Sequence, residues 1–496
     1  MDDDKRTDPN INSVENGTNE SANVYHIDPA EEARVLRRID WCVMPAMVTC
    51  FFFQFLDKQT INYASVFGLS EDLDLSGSDF SWAVSLFYFG QLASQYPTAY
   101  LISRFPVVKV VSLTIVLWGA MEMCLATPQS AAGLNAVRFL LGLFEGASAP
   151  GFVVITSNFY KRKEHPVRVA FWQSCSGLSQ IIGALVMYGI GGASGLALEN
   201  WRVMFLICGA ATITAGLVYG LVMPRDTSTA WFLKPEDRQL ATERLALDRA
   251  TRDKSSFDVR QVKEALLDVQ TWLLFCMGLF ICLPSPILKF SSLVINGFGF
   301  GQFQTMLVGL PGGVFQIATI WAAAFGCRYT TNKRWLMGIL LSSVPLLGSI
   351  LLMTLPASAG WGIVVSTWLA ACSSSLIVVA LSFAASNVKG NTKKATVSGV
   401  FFLAYCTGCI VGPQLWQAED APRYIKGTSA SVASWVLFMI TLVVYRMVLS
   451  RENAKRDRDQ HVEVEDDTHD EKAQHMGVSL DSDMTDRQDL KFRYTL

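Results

Sequence analysis

An arginine and a glutamate seven residues apart, Arg138 and Glu145, stand in an otherwise apolar run from Leu134 to Tyr160. An ionisable side chain inside a membrane span is costly and by default marks a substrate path or a proton relay. Seven residues are nearly two helical turns, so the pair shares one face, about 10 Å apart along the axis. A guanidinium presents a planar fork that pairs bidentately with a carboxylate or another anion. A glutamate between desolvation, which favours its protonated form, and Arg138, which favours the ionised one, is suited to take up and return a proton. Gly142 and Gly146 lie on the same stretch, a small-xxx-small pattern that admits a second helix at close range.

Further charges fall inside apolar segments, among them Asp57 with the adjacent Lys58, Glu122 and Lys289. At about 1.5 Å per residue, Asp57 lies roughly 24 Å outward from Trp41, Arg138 roughly 6 Å inward from Leu134 and Lys289 roughly 25 Å outward from Trp272. These three share the outer third, whereas Glu145 sits about 16 Å from the outer end of its span, close to the middle. The expected substrate site therefore joins Arg138 and Lys289 with hydrogen bonds from Asn62 and Gln414. The expected proton-coupling residues are Glu145 and Asp57, with Asp57 placed to neutralise the cationic site when it is empty. A fixed Arg138–Asp57 pair between two helices, a Lys289 that snorkels to the surface, and Asn62 and Gln414 as helix–helix hydrogen bonds stay open as structural readings. Glu122 reads as a peripheral polar contact.

The elements that must hold these residues are membrane spans. Half of the 496 residues are hydrophobic and 17% are charged, which suits a polytopic membrane protein better than soluble domains. Crossing a hydrocarbon core takes roughly 20 apolar residues. Such stretches recur near 39–66, 80–102, 107–126, 131–159, 168–190 and 202–223, then near 271–295, 303–326, 334–355, 361–385, 395–416 and 429–449. The chain is thus expected to be an all-α integral membrane protein with twelve transmembrane helices in two six-helix bundles, 39–223 and 271–449. A cytosolic central loop, 224–270, carries two amphipathic helices, one opening at Pro235 and one near Phe257. The ends, 1–38 and 450–496, are polar enough to read as disordered tails.

Lys and Arg sort to one set of loops: Arg34, Arg37 and Arg38; Arg104 and Lys109; Lys161 to Arg168; Arg328 to Arg334; Lys389 to Lys394; Arg446 and Arg451. Positive-inside sorting places both termini in the cytosol. The polar first forty residues carry no signal-peptide pattern, and sequons at Asn16 and Asn19 would then face the cytosol, away from glycosylation. The loops of the two halves echo one another, as in secondary transporters, whose repeated bundles rock about a site at their interface.

An enzyme is not expected. The five His are dispersed, and no nucleophile elbow or phosphate-binding glycine loop occurs at usable spacing. The eleven Cys are scattered through spans, so they read as packing residues rather than disulfides or metal ligands. No cofactor, metal or nucleic-acid partner is expected.

Several segments resemble the anion:cation symporter family of the major facilitator superfamily, and within it the fungal allantoate permease group. Arg138-x3-Gly142-x2-Glu145-Gly146-x3-Pro150 is similar to its fourth-span motif. Leu56-Asp57-Lys58 through Asn62 to Ala64 is similar to its first-span ending, with Lys58 where Arg is usual. Pro224-Arg-Asp226 with Ala230-Trp-Phe232 follows its post-span-six signature. Asn387-Val-Lys-Gly390 through Lys394, Gly408 to Gln414 and Asp420 to Tyr424 form the most specific run. Cys409 departs from the pattern, which usually has Asn between the glycines. The resemblance implies the major facilitator fold and proton-coupled import of a small organic anion such as allantoate, nicotinate, pantothenate or biotin by alternating access. It also implies the plasma membrane of a fungus. Export of a secondary metabolite and a non-transporting nutrient sensor are the alternatives that these residues leave open.

Overall fold

The computed structural model describes residues 28–161, 164–193, 195–250, 257–330, 332–466, 484–489 and 491–496. In chain order the first bundle is α1 (Pro29–Val66), the short α2 (Leu69–Asp72), α3 (Asp79–Arg104), α4 (Val107–Cys124), α5 (Ala131–Glu145), α6 (Ser148–Phe159), α7 (His165–Gln173), α8 (Cys175–Gly191) and α9 (Asn200–Val222). The central loop holds α10 (Pro235–Ala250) and α11 (Val259–Leu267). The second bundle is α12 (Val269–Cys282), α13 (Ile287–Gly297), α14 (Gln302–Tyr329), α15 (Arg334–Thr354), α16 (Trp361–Ala370), α17 (Ser374–Asn387), α18 (Asn391–Gln414) and α19 (Ile425–Asp466).

Among the described residues, eleven helical stretches are long and apolar enough to cross a membrane, pairs such as α5 with α6 counting as one span. The remaining expected span, α3, has 26 residues but spends part of its length on Ser81, Ser85, Gln91 and Ser94, all buried inside the protein. Its polarity serves the interior, which is why hydropathy alone passes it over.

Helix ends and breaks follow local chemistry. Asp28 caps α1 by accepting from the Ala30 amide, and Pro29 occupies the first turn, where no amide partner is needed. Along α1, Val35, Ile39, Val43 and Met47 are buried at helical spacing while Trp41 is exposed, so one stripe faces the bundle. The fourth span breaks between α5 and α6 at Gly146 and Ala147. Pro150 lies four residues on, where its ring would clash with the Gly146 carbonyl in a continuous helix.

The glycines of α5 set how closely α3 approaches. A Cβ on Gly142 would stand 1.8 Å from the Phe87 carbonyl oxygen, and one on Gly146 1.8 Å from the Ser94 hydroxyl. The answering glycine on α3, Gly90, is equally tight against Phe139, at 2.1 Å.

The central-loop helices divide between the bundles. α10 docks on the first: Asp237, almost fully buried, accepts from Arg34 and Arg38, and the fully buried Arg244 pairs with Glu164 at 2.6 Å. α11 packs against α18, and its N-cap Asp258 accepts from the Arg260 amide.

Two expectations change at the ends. The stretch from 450 onward is not uniformly without structure: α19 continues to Asp466, and residues 484–489 and 491–496 lie against the second bundle. Helix-forming charged residues with pairs such as Arg456–Glu452 extend α19 beyond its apolar part. Most of the expected N-terminal tail, with its sequons, lies outside the described residues, and α1 already begins at Pro29.

Candidate functional site

Adjacent residues of α1 face different neighbours, since each step turns about 100° around a helix. Asp57, fully buried, accepts from the indole of Trp118 on α4 and the hydroxyl of Thr212 on α9, both at 2.9 Å. Lys58 turns instead toward α5, where its ammonium meets the Glu145 carboxylate at 2.6 Å. Glu145 is fully buried and also accepts from Gln54 of α1 at 3.0 Å and Gln91 of α3 at 3.3 Å. One carboxylate thus gathers three helices.

Arg138, 3% exposed, takes none of these partners. Its guanidinium lies over the Phe87 ring at 5.9 Å, the ring over which Lys58 also sits at 5.7 Å. Among the described residues no hydrogen bond or ion pair joins it to a carboxylate, and its Nε is buried without an acceptor. The expected neutralisation of Arg138 by Asp57 is therefore absent here, because Trp118 and Thr212 hold Asp57 between α4 and α9.

Lys289 comes from the other bundle. Its ammonium reaches across the interface to the Lys58 carbonyl at 2.7 Å, so it points inward rather than to the surface. Asn62, one turn along α1, donates to Ser292 at 3.0 Å and accepts from the Ser292 amide. Gln414 donates to Ser85 at 2.9 Å, while Ser85 donates to the Ile410 carbonyl. Three of the expected substrate ligands, Lys289, Asn62 and Gln414, thus bridge the bundles. With Ser81 to Trp416, these bonds close the half of the interface away from the central loop.

A small polar cleft begins beside this closure, between α1, α8, α13, α14 and α16. Gln59, Asn62, Gln180, Ser291, Thr305 and Thr367 line it. Cys409, at the position where an amide was expected, is buried and accepts from Ser285 at 3.6 Å. Among the described residues, no three His, Cys, Asp or Glu side chains gather closely enough to hold an ion.

Sequence reading missed three participants. Lys58 is the ion-pair partner of Glu145, and its signal was adjacency to Asp57. Gln54 and Gln91 had no signal beyond being amides in apolar runs. Glu122 was placed at the periphery, yet it is fully buried on α4, one turn from Trp118, and among the described residues neither carboxylate oxygen has a hydrogen-bond partner.

A chain of paired bundles with charges concentrated at their interface is the architecture of one large transporter family, and comparison agrees. The Major Facilitator Superfamily profile matches residues 47–413. The chain belongs to the major facilitator superfamily. It is a multi-pass membrane protein and a secondary transporter rather than an enzyme. An uncharacterized transporter of Schizosaccharomyces pombe is 34% identical over 472 residues, covering 95% of this chain and 91% of the relative. The allantoate permease of Saccharomyces cerevisiae is 29% identical over 489 residues, covering 96% and 89%. The thiamine pathway transporter THI73 of the same yeast is 29% identical over 498 residues, covering 97% and 92%. Among solved structures, the proton:xylose symporter XylE aligns with a TM-score of 0.63 at 14% identity, over 84% of this facilitator and 96% of that chain. A bacterial homologue of the lysosomal transporter Spinster aligns with a TM-score of 0.60 at 15% identity, over 82% and 96%.

Proposed function

We propose that this facilitator imports a small organic anion together with a proton, across the plasma membrane of a fungus, with the central-loop side and both termini in the cytosol. The observation that carries this reading is a pair of buried cations, Arg138 and Lys289, neither of which is bonded to a carboxylate among the described residues. Lys58 and Glu145 pair with each other, while Arg138 and Lys289 form no salt bridge with a carboxylate among the described residues. A buried, unpaired guanidinium in low dielectric is strongly favourable toward an anion that can supply its acceptors. The kinship with an allantoate permease supports a carboxylate cargo, in the class of allantoate, nicotinate or pantothenate.

Arg138 binds the anion and Lys289 adds charge from the facing bundle. Glu145 carries the proton: protonation breaks its pair with Lys58 and frees that ammonium toward the substrate. Asn62 and Gln414 then act as closure contacts that must part when the opposite side opens, the step on which alternating access depends.

The test is uptake of labelled carboxylates into proteoliposomes with an imposed pH gradient. Arg138→Ala is expected to raise the half-saturation concentration at least about tenfold, the loss of one charge-assisted contact. Glu145→Gln is expected to abolish accumulation against a gradient while keeping exchange. Unaltered half-saturation in the first variant, or unaltered accumulation in the second, would refute the assignments. Accessibility of a tag on either terminus in intact cells reads the sidedness separately.

A further inference from the structure

We infer that residues 484–489 and 491–496 form a detachable clamp on the central-loop face of the second bundle, and that phosphorylation of Thr485 keeps the clamp off. The contacts are numerous and specific. Asp486 is fully buried; its carboxylate pairs with Lys393 at 2.8 Å, accepts from the Lys389 amide at 3.2 Å and from the Tyr494 hydroxyl at 2.7 Å. The Asn387 side chain accepts from the Thr495 amide at 2.8 Å and donates to the Thr495 carbonyl at 3.0 Å. Asn453 of α19 does the same for Tyr494, at 3.0 and 2.9 Å. The Arg456 guanidinium donates to the Phe492 carbonyl and the Tyr494 hydroxyl, and the Arg334 amide donates to the Leu496 carbonyl. The segment thereby ties the starts of α15 and α18, the end of α17 and the far part of α19.

The first bundle has a corresponding cap. There, Lys161, after its fourth span, pairs with Glu32, and the neighbouring Glu164 pairs with Arg244 of α10. In the second bundle, Lys389 and Lys393, after its fourth span, are met by Asp489 and Asp486. One cap is built from the central loop. The other comes from a segment joined to α19 only through the polar residues 467–483, and polar contacts can be exchanged for water.

Thr485 is where charge would act. It is fully buried, and its hydroxyl donates to Glu264 at 3.0 Å. Asp268, which binds Lys393 and Arg487, and Asp486 stand in the same cluster. A dianionic phosphate beside these carboxylates is repelled and cannot be seated in a closed space. Because the hydroxyl is covered while docked, a protein kinase reaches it only on the released segment. The Thr485 oxygen then takes the terminal phosphoryl group of ATP, the O–P bond forming as the bond to ADP breaks and the hydroxyl proton passing to solvent. Release frees the Lys389 ammonium and the Arg456 guanidinium from their partners on the segment, while Lys393 keeps Glu264 and Asp268. The natural reaction rests on this face being cytosolic.

Hydrogen exchange on the full chain in detergent micelles tests the clamp, and because both faces are open there it does so independently of sidedness. The Tyr494 and Thr495 amides should be protected in the wild type and in Thr485→Val, and should exchange at least about tenfold faster in Thr485→Asp. Incubation with ATP and an acidophilic serine/threonine kinase should place phosphate on Thr485 and raise exchange in proportion. An unprotected wild-type segment, Thr485→Asp as protected as wild type, or Thr485 left unmodified by the kinase would each overturn the inference.

Discussion

At the scale of single residues, the informative contrast is between neighbours, Asp57 and Lys58. Both are charged and deep in the same helix, yet one is held by Trp118 and Thr212 while the other pairs with Glu145. The geometry makes Asp57 a clasp between α1, α4 and α9, so the proposed mechanism assigns the proton to Glu145 alone. Asp57→Asn keeps an acceptor for both donors, so proton-driven accumulation in proteoliposomes is expected to stay within about twofold of wild type. Asp57→Ala strands a buried indole N–H, at a cost of about 1–3 kcal/mol, visible as a lower thermal midpoint in micelles. Loss of accumulation in a stable Asp57→Asn protein would return Asp57 to the proton path.

At the scale of elements, the α3–α5 contact positions the site. Gln91 reaches Glu145 at 3.3 Å only because Gly142 and Gly146 let the backbones meet. Gly142→Val would drive a branched side chain into the Phe87 carbonyl, which no rotamer relieves, and overpacking of this kind costs about 1–3 kcal/mol or more. The expected result is a loss of monodisperse protein on size exclusion. Gly189→Ala, a position with nothing within 4 Å of a new Cβ, is expected to leave the profile unchanged. The two outcomes together separate close packing from a general intolerance of the bundle.

At the scale of the whole molecule, charge clusters hold the loops to the bundle ends on the central-loop side. Lys389 bonds Asp489 and holds its carboxyl below the usual carboxylate range. A carboxyl depressed in the docked state contributes docking stability above its ordinary value and loses it as pH falls through the lowered one. Exchange of the 491–496 amides, corrected for the intrinsic rate, is therefore expected to accelerate as pH falls below the ordinary carboxylate range. Asp489→Asn should remove its share of that dependence, and an unchanged profile would show that the pair contributes nothing to docking.

The span pattern, the two halves and the charged motif were legible in the sequence because lipid imposes a long apolar run and makes every exception conspicuous. Arg138, Glu145 and Lys289 stood out for that reason, whereas the break after Glu145 lay inside what reads as one continuous span, 131–159. α3 could be read as a span, but not the inward direction of its serines and glutamines. Pairing was not legible at all: depth along a helix permits Asp57 to meet Arg138, whereas rotation about α1 gives it to Trp118 and Thr212. The same limit hid Glu122 in the interior and the docking of 484–489 and 491–496, where a polar composition reads as solvated. Sequence alone determined which residues must leave water and cross the membrane, since that follows from transfer free energy along the chain. Only the tertiary structure decided which charges face one another, because azimuth and helix-to-helix distance arise from packing many segments at once.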